Sequence, residues 1–458
     1  KTKIVAVHFT RRIARSFVTA MMPFALTACA TVMGRVRPPE PRAELGHLID
    51  SLTTQPEFRN AQWGVLIVNP RTGDTLYSKN AGKLFQPASN MKLITSAAAL
   101  TLLGPEYRYK TTFLTNGEKR DSLLDGDLLV IGRGDPTVSD QMQGRIIGDR
   151  LHGLATTVMD ALADSLRAHG IRQIAGSIAR VGNAFPDSIY GYGWEWDDLG
   201  EYYGAGVDEL IFNEGMAPTK LRPPPDTVRD SLYSGPAKDP AKAYLDALKD
   251  GLVRKGIIVE GVVMDSILST PMKMDTIFVL TSPPLRDILP ALMKPSQNQI
   301  AEIFLRTIGL ERGGIGTADT ARKIVGQQLL AWGVQPDGFV IRDGSGLSDQ
   351  DLLTPETIVR VLDRIQRDTA FAYYYNSMPI AGVDGTIEKR MKGTPAEGNV
   401  HAKTGTLSKA RSLSGYVTTA DGERLIFSVL ANNTTTPGSM VTGIADRIGA
   451  ALALYREH

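Results

Sequence analysis

Cysteine is almost missing from this 458-residue chain, with Cys29 the single one. A lone thiol can build neither a disulfide framework nor a Cys-based zinc site. Histidine is scarce too. The six, His8, His47, His152, His169, His401 and His458, form no H-x-x-x-H or H-x-x-E-H pair, so the familiar zinc hydrolases lack their ligands here. Neither sign of charge dominates. The net charge is +2 and no Lys/Arg block is long enough to serve as a backbone-binding arm, which excludes a nucleic-acid footprint. Internal repeats and low-complexity tracts are lacking as well. What remains is ordinary for a folded protein, with 42% apolar and 22% charged residues. The length implies two or three units of about 100–200 residues each.

The N-terminal stretch reads as an address. Lys1, Lys3, Arg11, Arg12 and Arg15 form a basic start without acids, and an apolar run from Ser16 to Ala28 follows. That run is shorter than the about 20 residues a bilayer span needs. A basic region followed by a short apolar one describes an export signal over residues 1–28. Leu26-Thr27-Ala28-Cys29 resembles a bacterial lipobox, which implies cleavage before Cys29 and lipidation of that residue. The blander alternative is a buried cysteine ending a hydrophobic helix. In an oxidising compartment, a chain without other thiols has nothing to mispair. Ala30 after the cysteine favours, by analogy, the outer membrane, facing the periplasm. Residues 29–43, with Arg37-Pro38-Pro39-Glu40-Pro41, form a stiff tether.

Beyond the tether the patterning alternates. The spacing predicts a helix over 43–54, a strand over Trp63–Val68, and a return strand at Thr75–Tyr77. An Ala- and Leu-rich run from Ser89 to Leu103, stopped by Gly104-Pro105, predicts a helix. Residues 107–280 differ in texture. They hold short strands at Thr111–Thr115, Asp127–Ile131, 256–264 and 276–281, helices over 148–169 and 240–254, an aromatic loop Tyr190–Leu199, and Pro223-Pro224-Pro225. Further on come helices over 284–293, 298–309 and 317–333, a strand from His401, a hairpin around Ala420-Asp421-Gly422, and a terminal helix over 440–456. Helices with an antiparallel sheet make the class α+β.

Three short motifs carry chemistry. In Ser89-Asn90-Met91-Lys92, helical spacing brings the serine and lysine onto one face. A serine hydroxyl is a weak nucleophile that needs a nearby base, and a lysine serves once burial and nearby positive charge lower its pKa. In Ser296-Gln297-Asn298, between two helices, the hydroxyl would relay a proton to a leaving amine and Asn298 would hold a substrate amide. In Lys403-Thr404-Gly405-Thr406, Lys403 and Gly405 share one strand face. Lys403 would supply charge for a carboxylate and help depress the pKa of Lys92, and Gly405 would let a substrate backbone approach. Each motif alone is unremarkable, since S-x-N in a loop is commonly a helix cap. Their order and contexts together are the signal, matching the Ser/Lys enzymes inhibited by β-lactams.

The spacing narrows the choice. About two hundred residues separate Ser89 from Ser296 and about a hundred separate Ser296 from Lys403. The chain resembles the class C low-molecular-mass penicillin-binding proteins, the serine D-Ala-D-Ala carboxypeptidase/endopeptidase family. The likeness runs through Pro87–Leu93, Gly132–Thr137, Gly193–Asp198, Asp343–Ser348, Gly382–Thr386 and His401–Thr406. For most of the Gly/Asp segments, turn chemistry is the better reading of the residues themselves. The resemblance implies a penicilloyl-serine transferase domain over 44–106 and 281–458, with one or two smaller domains inserted over 107–280. It implies Ser89 as nucleophile, Lys92 as its base and Ser296 as proton relay. Asn298, Lys403, Thr404, Gly405 and Thr406 would bind substrate, and the Ser89 and Thr406 amides would form the oxyanion hole. Peptidoglycan stem peptides would be the substrate, β-lactams covalent inhibitors, and no metal or organic cofactor is needed.

Two rival readings stand beside this one. A β-lactamase shares the acylation step, and Glu209-Leu210-Ile211-Phe212-Asn213 resembles a deacylation motif, but Phe212 replaces the expected Leu and the segment precedes Ser296. It reads as structural. The other rival is a non-catalytic scaffold lipoprotein of the cell wall.

Overall fold

The computed structural model describes residues 41–139, 157–218, 233–268 and 273–457. The export signal, Cys29, most of the tether and Pro223-Pro224-Pro225 lie outside the described residues.

The scaffold of the site is a five-stranded antiparallel sheet in the order His401–Thr406, Ala410–Thr418, Arg424–Asn432, Gln62–Val68, Thr75–Lys79. The strand predicted at Trp63–Val68 lies between the second half of the 420–422 hairpin and its own return strand. Strand alternation then assigns its faces. Val65 and Ile67 enter one core with Phe427, Val429 and the terminal helix Gly438–Leu454. Leu66, Ile426 and Leu430 enter the opposite core, with Met91–Leu103 and the helices of residues 285–365.

Caps explain where these helices begin. Thr354 accepts from the Thr357 amide with Pro355 at the first helical position, and Thr317 accepts from Thr320. Gln297 accepts from Gln299 and so starts the helix Asn298–Gly313 immediately after Ser296. Gly314, in the left-handed region at φ 78°, ends it.

Residues 107–280 build separate sheets over their own core. One five-stranded sheet runs Val263–Leu268, Ile178–Val181, Leu128–Ile131, Lys110–Thr115, Asp275–Thr281, and a four-stranded sheet lies beside it in sequence. Both contain parallel pairs, such as Leu128–Val130 with Ile178–Arg180, unlike the antiparallel sheet that carries the site. The helix Thr157–Ala168 crosses over between strands of this sheet, a connection that parallel pairing requires. The helices Thr157–Ala168 and Pro240–Arg254 cover this core.

One helix boundary differs from expectation. Ser89 does not lie within the long helix. Ala88–Asn90 form a single 3-10 turn, and the α-helix begins at Met91. Ala88 has φ 48°, a left-handed conformation for a non-glycine residue, which sets the turn ahead of the helix axis. Among the described residues no helix is long and apolar enough to cross a membrane.

Candidate active site

Ser89 sits on the Ala88–Asn90 turn, half-buried, at the N-terminal end of Met91–Leu103. Asn90 fastens this turn to the sheet. Its amide nitrogen donates to the Lys403 carbonyl at 3.0 Å and to Ser412 Oγ at 2.7 Å, while Ser412 donates to the Pro87 carbonyl at 2.8 Å. The nucleophile turn and the Lys403 strand are thus one rigid piece.

Lys92 is fully buried, with its Nζ 2.9 Å from Ser89 Oγ, 2.6 Å from Asn298 Oδ1 and 2.7 Å from the Ser345 carbonyl. Burial pushes its ammonium down to about 7, against the opposing charges of Asp343, Glu302 and Asp351. In its neutral form the amine has two N–H bonds and one lone pair. Two of the neighbouring oxygens are carbonyls, which can only accept. They engage both N–H bonds and leave the lone pair for the Ser89 hydroxyl.

The second hydroxyl is arranged in parallel. Lys403 Nζ donates to Ser296 Oγ at 2.8 Å and to the Thr404 carbonyl at 2.9 Å. Ser296 holds a left-handed backbone at φ 65° immediately before the 298 helix. Lys403 was expected to depress Lys92. Burial first, then the charge of Lys92, hold Lys403 well below an ordinary lysine.

The model of the D-Ala-D-Ala carboxypeptidase 3 (S13) family matches residues 45–236 and 225–447. The chain belongs to the S13 family. It is 31% identical to the D-alanyl-D-alanine carboxypeptidase of Actinomadura sp. (strain R39), over 91% of this chain and 85% of that protein. The crystal structure of penicillin binding protein 4 from Haemophilus influenzae superposes with a TM-score of 0.75 at 24% identity, covering 89% of this chain and 99% of that one. The same protein complexed with a β-lactam gives 0.70, at 23% identity and with the same coverage of each chain. A predatory endopeptidase of Bdellovibrio bacteriovorus, bound to its immunity protein, gives 0.51 at 19% identity, covering 85% and 90% of the two chains. These three structures share the fold of this S13 chain.

Within this S13 fold the remaining motif residues take positions the sequence did not specify. A Cβ on Gly405 would lie 2.6 Å from the Pro87 carbonyl and 3.0 Å from Ala88 Cβ. The glycine therefore admits the chain's own nucleophile turn. Asn298, expected to hold a substrate amide, spends its side chain on the protein: Oδ1 accepts from Lys92 and Nδ2 donates to the Tyr203 carbonyl at 2.9 Å. Thr404 Oγ1 donates to Thr386 Oγ1 at 2.8 Å, and Thr406 is exposed. Glu209 lies against Arg180, 3.2 Å away, and burial beside Asp208 pushes its carboxyl up to about 9. That placement agrees with reading Glu209 as structural. Among the described residues no group of His, Cys, Asp and Glu is placed to hold a metal ion.

Sequence reasoning passed over Asn90, Thr386, Glu302 and the Ser345 carbonyl. Thr386 and Ser345 sat in Gly/Asp-rich segments read as turns, which they are, while also reaching the site. Glu302 was legible in principle, since it falls four residues after Asn298 and so on the same helix face.

Proposed function

We propose that this S13 chain is a serine D-Ala-D-Ala carboxypeptidase and DD-endopeptidase that cleaves peptidoglycan stem peptides through an acyl-enzyme on Ser89. The observation that carries the reading is Lys92, a buried amine depressed to about 7 and held 2.9 Å from a serine hydroxyl. Lys92 takes the Ser89 proton as Oγ bonds to the carbonyl carbon of the penultimate D-Ala. The resulting oxyanion is met by the Ser89 and Thr406 amides, each such donor contributing about 3–4 kcal/mol in comparable sites.

When the tetrahedral intermediate collapses, the C–N bond breaks and the leaving amine takes the Ser296 proton, which Lys403 restores across 2.8 Å. Water then hydrolyses the ester. Lys403 with Thr404 or Thr406 engages the terminal carboxylate, Asn298 and Gly405 line the site, and β-lactams acylate the same Ser89. The β-lactam complex of the Haemophilus relative supports that last point. The placement of the enzyme is part of the proposal: exported, in the periplasm, anchored to the outer membrane through lipidated Cys29. So is the division into a catalytic unit of 44–106 and 281–458 and an insertion of 107–280.

The test is a fluorescent penicillin incubated with the protein, followed by mass spectrometry of the labelled peptide. A slowly hydrolysed adduct on Ser89, abolished in Ser89→Ala and weakened in Lys92→Ala, is expected. Rapid destruction of the drug without a lasting adduct would replace the peptidase by a β-lactamase. Neither adduct nor hydrolysis would leave a scaffold.

A further inference from the structure

The segment Asp343–Ser348 touches the base only through one carbonyl, yet it is held from three sides. From the nucleophile helix, Thr95 Oγ1, one turn beyond Lys92, donates to the Gly344 carbonyl at 2.7 Å. From the Asn298–Gly313 helix, Glu302 Oε1 accepts from the Gly344 amide at 3.0 Å and the Ser345 amide at 2.8 Å. Glu302 is 1% exposed. From the aromatic loop of residues 190–199, the Trp194 indole donates to Asp343 Oδ2 at 2.8 Å, and Asp343 in turn accepts from the Gly346 and Ser348 amides at 2.6 and 2.8 Å. The two loops also touch directly. A Cβ on Gly193, at φ 81°, would come within 2.6 Å of Ser348 Oγ.

The geometry points to Glu302 and Trp194 as positioning residues for the base: together they fix the Asp343–Ser348 segment so that the Ser345 carbonyl occupies one N–H of Lys92 and directs its lone pair at Ser89. This rests on the reading of Lys92 as general base. Its consequence is that one helix supplies both acceptors of the amine, Asn298 directly and the Ser345 carbonyl through Glu302. A loop about a hundred residues earlier in the chain completes the clamp. If the Ser345 carbonyl drifts, the amine is free to rotate and Ser89 loses its aligned acceptor. Misplacement by about 1 Å at a reacting group costs on the order of a hundredfold.

The experiment measures the acylation rate constant and the prior non-covalent affinity separately, using a chromogenic penicillin and stopped flow across pH, in the wild type, Trp194→Phe, Glu302→Gln and Glu302→Leu. Trp194→Phe keeps the ring and deletes only the N–H. Glu302→Gln keeps a carbonyl oxygen for the two amides, and Glu302→Leu removes it. Acylation should fall roughly tenfold in Trp194→Phe and roughly 10- to 100-fold in Glu302→Leu, with affinity unchanged, and should recover to near wild type in Glu302→Gln. A carbonyl neighbour favours the protonated amine, so its displacement should also move the acid limb of the Trp194→Phe profile to lower pH. A purely structural role would lower thermal stability without moving that limb.

The inference is overturned if folded Trp194→Phe and Glu302→Leu acylate with wild-type rate and profile. It is equally overturned if Glu302→Gln is as impaired as Glu302→Leu. Should Glu302→Leu fail to fold, Trp194→Phe decides alone. A wild-type protein that forms no Ser89 adduct overturns the functional reading and this inference with it. An acylated wild type with unaffected variants overturns the inference only.

Discussion

Lys403 donates to Ser296 across 2.8 Å, and the serine that receives this bond sits in a backbone conformation that favours glycine, at φ 65°. A non-glycine residue there carries strain of about 1 kcal/mol or more, a cost tolerated because the left-handed turn places the hydroxyl on the lysine just before the 298 helix begins. Ser296→Gly and Ser296→Ala should therefore lose turnover to the same degree while differing in stability. The glycine variant should melt higher than the alanine variant. Equal melting temperatures would show that the turn is not strained.

The pH dependence follows from Lys92. With its ammonium depressed to about 7, acylation should rise as pH increases through about 7 and level off above it. Stability carries the same signature. The unfolded chain holds protons on Lys92 and Lys403 up to the ordinary lysine range, and the folded chain releases them earlier. At these two groups the unfolded state therefore binds more protons between these limits, and their contribution to stability rises with pH over that window. Below the folded values both states are protonated and the penalty is constant. Glu302 and Glu209, pushed up to about 8 and about 9, contribute the opposite slope, so the sign is read as a difference between melting curves: wild type should gain stability relative to Lys92→Ala as pH rises from about 7 to 10. A difference that shrinks as pH rises would contradict the burial of a neutral Lys92.

Lys403 gives a separate prediction. Held well below its ordinary range in the free protein, it should regain a proton when a carboxylate arrives beside it. Binding of a D-Ala-terminated peptide to a Ser89→Ala variant should then take up protons. Calorimetry in two buffers of different ionisation enthalpy reads that uptake directly, and identical heats in both buffers would argue against the carboxylate meeting Lys403.

Asn90 is fully buried and ties the nucleophile turn to the Lys403 carbonyl and to Ser412. Asn90→Ala leaves a buried carbonyl and a hydroxyl without this donor, costing about 1–3 kcal/mol. Urea unfolding should show the loss, and acylation should slow with it, because the turn is then no longer fixed to the strand.

Gly405→Ala should be more damaging than its size suggests. The new methyl would collide with Ser412 Oγ and lie 2.6 Å from the Pro87 carbonyl, so both the Ser412 side chain that holds the turn and the turn bearing Ser89 must shift. The expected outcome is a folded protein whose labelling by penicillin is lost or greatly slowed. Normal labelling would mean that the turn tolerates the displacement.

Much of the site was legible because each motif carries its own secondary-structure context. An Ala-rich run after Ser89, a cap residue after Ser296 and strand alternation at Lys403 placed three segments on the correct elements. What escaped the sequence was contact between distant segments. Nothing in Asp343–Ser348 distinguishes an ordinary Gly/Asp turn from one whose carbonyl meets a buried lysine, because the difference lies in Glu302, Thr95 and Trp194 around it. The packing of Gly405 against the nucleophile turn escaped for the same reason: a missing side chain announces close approach but not by what. The start of the nucleophile helix was misplaced because Ala88, a good helix former, adopts a left-handed conformation, with Gly346 and Gly405 packed closely around it.

The central sheet has a temporal consequence. The strand Gln62–Val68 depends on Arg424–Asn432 for its pairing along its whole length, and Gln86 and Asn432 bond each other across 346 positions of chain. During synthesis the earliest strand must wait for almost the last. Contacts so remote in sequence fold slowly. Until they form, Ser89 has no Lys403 strand beside it, so a nascent or truncated chain carries the nucleophile without its machinery. The hydrolase becomes chemically competent only once its C-terminal hairpin has docked.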